Sequence, residues 1–228
     1  MLDKLLALDQ QITLALNGSD SPFWDGIAMT ATQTLTWIPL AVVLLYVIVR
    51  NNDARTIGLI LLSIALCILI ADQVASGICK PLFQRYRPAQ DPAIMYLVDV
   101  VDGYRGGKYG FFSSHAANTF SLAVFVSLLI RHKALSCGLI SWALLNCWTR
   151  VYLGVHYFGD LLVGTLFGTF VGCLIYFLFK KVSKLEVDAS HRPEIQTSTG
   201  YSPDDAYLLL SALFICYIYV VIRAVACC

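Results

Sequence analysis

Long apolar stretches dominate this sequence and constrain its fold more than any other feature. A helix needs roughly 20 mostly apolar residues to cross the hydrocarbon core of a bilayer, and six stretches are candidates for such spans. The third is short and must include the preceding turn to cross. The six stretches cover residues 27–49, 57–79, 116–130, 135–152, 161–179 and 207–222. The sequence therefore predicts an all-α protein, a six-span transmembrane helical bundle.

Composition agrees with a membrane protein and excludes other classes. Only 14% of the 228 residues are charged, whereas soluble domains carry about 25%. The formal net charge of +1 argues against a nucleic-acid partner, because a phosphate backbone requires a basic surface. A chain of this length predicts one membrane-embedded domain, residues 1–228.

Two segments lie outside the predicted spans. Residues 1–20 are apolar at positions such as Leu5, Leu8 and Ile12 but are interrupted by Asp9. This pattern is typical of an amphipathic helix that lies at the membrane interface. Residues 182–205 are polar, and we interpret them as a loop before the last span.

The ionisable residues near the span ends fall into a pattern. Because successive spans alternate in direction, the end of the second span, the start of the third, the end of the fourth and the start of the fifth share one membrane face. These four places hold Lys80 and Arg87, then Ser113, Ser114 and His115, then Arg150, then His156 and Asp160. Ionisable residues at this depth are costly and suggest function.

This set of side chains is suited to an anion and favours phosphate. Guanidinium groups match phosphate oxygens, and two histidines can supply a nucleophile and a proton donor. Asp160 follows His156 by four residues, the spacing of neighbours on a helix face, and can orient its ring. Ser113 is expected to cap the third span, where free backbone N–H groups attract an anion.

Each of these residues also has a structural interpretation. Lys80 and Arg150 alone would more often be anchors that reach to the interface, and a single histidine would more often be an interfacial one. The joint pattern favours catalysis, because anchors need no fixed spacing. For Arg85, Arg105 and Lys108 the interfacial interpretation is preferred over contact with a second phosphate or a headgroup. The glycine-rich run 102–110 is expected to be a plain loop, and Asp72 to pair within the bundle.

Three motifs in this order resemble those of the type 2 phosphatidic acid phosphatase family. Lys80-Pro-Leu-Phe-Gln-Arg-Tyr-Arg87-Pro88 resembles its K-x6-R-P motif. Phe112-Ser113-Ser114-His115 is similar to P-S-G-H, and Thr149-Arg150-x5-His156-x3-Asp160 to S-R-x5-H-x3-D. The departures are Phe112 for Pro, Ser114 for Gly and Thr149 for Ser. Ser114 keeps the backbone N–H and Thr149 keeps a hydroxyl, so neither change is expected to inactivate the site.

The resemblance implies a role for each matched residue. Lys80, Arg87 and Arg150 would hold phosphate, with Ser113 and Ser114 supplying further donors. His156 would form a phosphohistidine, Asp160 would orient it, and His115 would protonate the leaving oxygen and then activate water. The resemblance also implies an enzyme with no metal and no cofactor.

The expected function is hydrolysis of a phosphomonoester or diphosphate on a membrane lipid, with undecaprenyl diphosphate and lipid A as leading substrates ahead of phosphatidylglycerophosphate and phosphatidic acid. Alternatives are a lipid phosphotransferase and a non-catalytic anion-binding or transport protein. A vanadium-dependent haloperoxidase shares the motifs but is soluble.

We expect a bacterial inner-membrane protein whose site faces the periplasm or exterior. Lys and Arg counts are tied between the two faces, so that orientation depends on reserving Lys80, Arg87 and Arg150 for chemistry.

Overall fold

The computed structural model describes residues 2–183 and 200–226, and it is helical throughout these ranges apart from turns and one long connection. Most of the predicted loop 182–205 lies outside the described residues. The helices are α1 Leu2–Leu16, α2 Pro22–Ala31, α3 Ile38–Asn51, α4 Ala54–Asp72, α5 Lys80–Phe83, α6 Ser114–Ile130, α7 Lys133–Tyr152, α8 Phe158–Ser183 and α9 Pro203–Ala226. A π-helical segment, Gln73–Cys79, joins α4 to α5, so the predicted second span runs on to Phe83.

Helix α6 forms the centre of the bundle. It packs against α8, α7 and α4, and eleven of its side chains are buried, including Phe120, Phe125 and Leu129. Helices α3, α4, α8 and α9 direct large apolar side chains outward, such as Leu62, Phe170 and Phe214. A helix that is apolar on all sides belongs in the interior, whereas an outward apolar face needs lipid to cover it.

Among the described residues, four helical stretches are long and apolar enough to cross a membrane: Thr34–Asn51, Ala54–Phe83, Phe158–Ser183 and Pro203–Ala226. Helix α6 is a shorter apolar helix, and it begins at Ser114, as the short third stretch required. Helix α7 is less apolar because it carries Lys133, Asn146 and Arg150. The all-helical membrane architecture is therefore confirmed, while the count of six spans stays a prediction.

The prediction of one continuous helix over residues 27–49 is wrong. Helix α2 ends at Ala31, and a 3-10 turn, Thr34–Trp37, precedes α3. The Thr36 hydroxyl donates to the Thr30 carbonyl at 2.7 Å, and the Trp37 indole N–H donates to the Ala31 carbonyl at 2.9 Å. These side chains satisfy the last carbonyls of α2, and a proline in the first turn of α3 favours a fresh start there.

A stripe of glycines on α8 brings it close to α6. A Cβ on Gly164 would lie 2.6 Å from the Ser113 carbonyl oxygen, and one on Gly172 would lie 2.6 Å from that of Ser121. Gly168, between them, lies against Ala117 in the same way. Spacing of four residues on both helices is the small-residue packing that membrane helices use for close approach. It holds the start of α6 beside the start of α8.

Candidate active site

His156 and Asp160 form a buried pair between α7 and α8. Their side chains are 1% and 0% exposed, and His156 Nδ1 lies 3.5 Å from Asp160 Oδ2, a contact that does not meet hydrogen-bond geometry and leaves Nδ1 without a partner among the described residues. Their four-residue spacing predicted that the two side chains share a helix face. They do not, because His156 lies two residues before α8 begins. Instead, Asp160 Oδ2 accepts the Tyr157 backbone N–H at 3.1 Å, which folds the carboxylate back over the chain that enters the helix.

The turn between Arg150 and His156 fixes both residues. The backbone N–H groups of Val155 and His156 both donate to the Arg150 carbonyl, at 3.1 and 3.2 Å. Gly154 adopts a φ of +64°, a left-handed conformation that glycine accommodates without strain. The chain therefore bends at Gly154, and the bend brings the end of α7 to the nucleophile candidate, His156.

Arg150 and Arg87 approach the site from two different segments. Arg150 is 2% exposed, and its Nη2 donates to the Tyr104 hydroxyl at 3.0 Å while its Nη1 contacts the Thr32 hydroxyl. Its buried Nε has no hydrogen-bond partner among the described residues. Arg87 is extended before Pro88, with φ −74° and ψ 154°, and its Nε donates to the Tyr109 carbonyl at 3.2 Å.

Lys80 reaches the start of α6 from the end of the second predicted span. Its Nζ donates to the Ser114 hydroxyl at 3.2 Å and to the Ser76 hydroxyl at 2.9 Å. Ser76 in turn donates to Asp72 Oδ1 at 3.2 Å, so Asp72 does pair within the bundle. The three side chains follow one another at four-residue intervals and hold the ammonium group toward the site.

The start of α6 completes the cluster. Ser113 caps the helix and accepts the Ala116 backbone N–H at 3.4 Å, while its own N–H donates to the Asp160 carbonyl at 3.2 Å. His115 lies in the first turn with an exposed side chain, unlike buried His156, and is within electrostatic range of His156, Arg150, Lys80 and Arg87. The structure thus gathers all eight predicted site residues at one end of the bundle.

Burial and nearby cations keep His156 neutral. Burial lowers the pKa of His156 well below its ordinary value of 6.5, and the positive charges of Arg87 and Arg150 lower it further. Burial and Arg150 likewise lower the pKa of Arg87. Cations packed this closely repel one another, and an anion between them would relieve that repulsion. Within the described ranges, no three His, Cys, Asp or Glu side chains group as metal ligands do.

The glycine-rich run 102–110 is more than the plain loop that was expected. Residues 85–87 and 108–110 pair as short extended segments: the Arg87 N–H donates to the Lys108 carbonyl at 3.2 Å, and the Gly110 N–H to the Arg85 carbonyl at 2.9 Å. A Cβ on Gly110 would lie 3.2 Å from Asp160 Oδ2 and 3.5 Å from His156 Nδ1. The run therefore forms a wall of the site, and no spacing in the sequence indicated this.

Arg85 has neither of the roles considered for it. Its Nη1 donates to Asp160 Oδ1 at 2.7 Å and its Nη2 to Asp9 Oδ2 at 2.7 Å. The only signal in the sequence was its place inside the K-x6-R-P stretch. Asp9 had no signal beyond its interruption of an amphipathic pattern.

Comparison with known proteins places the chain in a family. The model of the PAP2 superfamily matches residues 56–184, which contain every predicted site residue. The chain belongs to the PAP2 superfamily. The family resemblance carried by the three motifs is confirmed, and Asp9 lies outside the segment that the PAP2 model matches.

Two bacterial relatives extend the PAP2 match. A lipid A 4'-phosphatase of Bacteroides thetaiotaomicron is 40% identical over 184 residues, covering 80% of this chain and 82% of the relative. A lipid A 4'-phosphatase of Porphyromonas gingivalis is 34% identical over 175 residues, covering 77% of this chain and 74% of the relative. No solved structure gives a significant match. The predictions of a phosphatase and of an integral bacterial membrane protein are confirmed.

Proposed function

We propose that this protein removes a phosphate from lipid A through a phosphohistidine at His156. The observation that carries the proposal is the buried His156–Asp160 pair among cationic side chains, in a chain 40% identical to a lipid A 4'-phosphatase. The relatives support lipid A among the two leading substrates, and nothing comparable favours undecaprenyl diphosphate. We extend the proposal to the 4'-phosphate, which the names of both relatives specify.

In the first step, His156 Nε2 attacks phosphorus and the bond from phosphorus to the sugar oxygen breaks. Nδ1 faces Asp160, so a proton held on Nδ1 leaves the lone pair of Nε2 free to attack. Lys80, Arg87 and Arg150 neutralise the phosphoryl oxygens, and the Ser113 and Ser114 region adds the positive end of α6. His115 gives its proton to the leaving oxygen.

In the second step, His115 removes a proton from water and the resulting hydroxide attacks the phosphohistidine. The P–N bond breaks, inorganic phosphate leaves, and His156 returns to its neutral form. The low pKa of His156 suits both steps, because the ring must be unprotonated to attack and must not hold the phosphoryl group too firmly.

The test is phosphate release in detergent from lipid A, undecaprenyl diphosphate, phosphatidylglycerophosphate and phosphatidic acid, with excess EDTA present. We expect lipid A to be the best substrate, His156→Ala to abolish release, and an alkali-stable, acid-labile phosphoryl group to appear on His156. His132→Ala is the matched control, because His132 caps α7 and makes an edge-to-face contact with Tyr207, away from the site.

Four outcomes would contradict the proposal. Full activity in His156→Ala would exclude the nucleophile, and a better substrate than lipid A would exclude the assigned lipid. Loss of the lipid phosphate without inorganic phosphate would indicate a phosphotransferase. Tight phosphate binding without turnover would indicate an anion-binding protein.

A further inference from the structure

The first turn of α8 receives its hydrogen-bond acceptors from α1, a helix far away in sequence. The Phe158 N–H donates to the Thr13 hydroxyl at 3.0 Å, and the Gly159 N–H donates to Asp9 Oδ1 at 2.7 Å. The Thr13 hydroxyl donates to the Asp9 carbonyl at 2.7 Å, which orients it as an acceptor. Helix starts have free N–H groups that local side chains usually cap, and here α1 caps the helix that bears Asp160.

The other carboxylate oxygen of Asp9 binds Arg85, and this guanidinium also binds Asp160. The two ion pairs are both 2.7 Å long, and the side chains of Arg85, Asp9 and Asp160 are 23%, 14% and 0% exposed. Arg85 also lies over the Tyr157 ring, 4.1 Å from its centroid. Burial alone would lower the pKa of Arg85, but Asp160 and Asp9 outweigh it and raise that pKa.

Arg85 therefore differs from the three cations that face the phosphate position. Both ends of its fork are occupied by carboxylates, and one of these is the partner of His156. A fixed fork between two carboxylates restricts rotation of each, and a small displacement of Asp160 would change the 3.5 Å separation between its Oδ2 and His156 Nδ1.

We propose that α1 supports the active site: Asp9 holds Arg85, and Arg85 is a positioning residue that fixes Asp160 against His156. The inference rests on the proposed phosphohistidine function and assigns it two further residues. The exposed face of α1 presents Leu5 and Leu8, so the element that supports the catalytic pair also has an apolar surface.

The experiment compares Asp9→Asn, Arg85→Gln and Asp9→Glu with the control Asp3→Asn, using whichever of the four lipids the wild type hydrolyses. Asp3 is an exposed aspartate of the same helix, so its variant removes the same charge. Asparagine at position 9 keeps an acceptor for Gly159 but loses the ion pair with Arg85. Orthovanadate titration of each purified variant counts the intact sites. It therefore separates loss of folded protein from displacement of Asp160 within folded protein.

We expect Asp9→Asn and Arg85→Gln to lower kcat per intact site by about 10- to 100-fold with KM unchanged. Asp9→Glu should recover most of the loss, and Asp3→Asn should match the wild type. A raised KM with unchanged kcat in Arg85→Gln would mean that Arg85 binds substrate, and equal behaviour of Asp9→Asn and Asp3→Asn would remove α1 from the site. Either result overturns this inference alone, whereas a wild type that releases no phosphate from any lipid overturns the proposed function as well.

Discussion

Gly110 shows how closely the backbone approaches the His156–Asp160 pair. A Cβ there would lie 3.1 Å from Arg87 Cγ and 3.2 Å from Asp160 Oδ2, tighter than ordinary contacts. Neither neighbour can move without disturbing a hydrogen bond that holds it, since Arg87 is bonded to Tyr109 and Asp160 to Arg85. Gly110 matters because it has no side chain, and motif spacing does not reveal such a role.

We expect Gly110→Ala to lower kcat/KM by about 10-fold, because the methyl group displaces Asp160 or Arg87 by a few tenths of an ångström. The control is Gly107→Ala, because a Cβ on Gly107 would meet nothing within 4 Å. Steady-state phosphate release by the two variants checks the prediction, and equal activities would contradict it.

The depressed pKa of His156 predicts the acid limb of the pH profile. Because burial, Arg87 and Arg150 lower the pKa below 6.5, the neutral, nucleophilic ring persists as the pH falls past 6.5. The limb of kcat/KM that reports His156 should therefore lie below pH 6.5. The phosphate of the lipid substrate also titrates near pH 6. Its titration is therefore measured separately by ³¹P NMR, and the kcat/KM profile is corrected for it. A corrected limb at or above 6.5 would contradict the prediction.

At the scale of elements, the contact between α6 and α8 decides whether the site exists. The two helices carry small residues that face each other at Gly164, Gly168 and Ala117, and they bring Ser113, at the start of α6, beside Asp160. A bilayer supplies little hydrophobic force between helices, so close backbone contact must provide the attraction. The same glycines would cost stability in a helix of a soluble protein.

Gly168→Ala should destabilise the protein, because the new Cβ would lie 2.9 Å from the Ala117 Cα and even closer to the Ala117 carbonyl oxygen. Gly58→Ala is the matched control in α4, where a Cβ would meet nothing within 4 Å. Alanine exceeds glycine in helix propensity by about 1 kcal/mol, so that control should be neutral or stabilising. The midpoint of thermal unfolding in detergent should therefore fall for Gly168→Ala and stay unchanged or rise for Gly58→Ala. A Gly168→Ala midpoint no lower than that of Gly58→Ala would contradict the packing argument.

At the scale of the whole molecule, the site end of the bundle also holds the end of α9. Gly26 of α2 lies against Ala224 of α9, and the Tyr152 hydroxyl, at the site end of α7, donates to Asp25 at 2.7 Å. At the opposite end, Asn52 donates to the Tyr201 hydroxyl at 3.0 Å, near the start of α9. The last described residues of α9 and the candidate active site therefore share one face.

We propose that this face is periplasmic. This orientation is expected when Lys80, Arg87 and Arg150 are left out of the Lys and Arg count for that face because they bind phosphate. Alkaline phosphatase fused after Cys228 should then be active in bacterial cells, and a fluorescent protein that folds only in the cytoplasm should be dark there. Fusions after Asn52, on the opposite face, should give the reverse pattern. A fluorescent fusion after Cys228 would place the site in the cytoplasm.

The sequence by itself determined the membrane class, most of the long helices and the set of ionisable residues that gathers at one end of the bundle. Apolar length is a local property, and it predicts α4 and α6–α9 without knowledge of their neighbours. The alternation of spans then places Lys80, His115, Arg150 and His156 on one face by counting alone.

Only the tertiary structure decided how those residues are held. The break between α2 and α3 depends on side-chain bonds from Thr36 and Trp37 to carbonyls of the preceding helix, which the apolar pattern does not record. The ion pairs of Arg85 with Asp9 and Asp160 join residues that are far apart in the sequence. Gly110 leaves the space beside Asp160 that a side chain would fill. Such relations exist between segments, so they appear once the chain is folded.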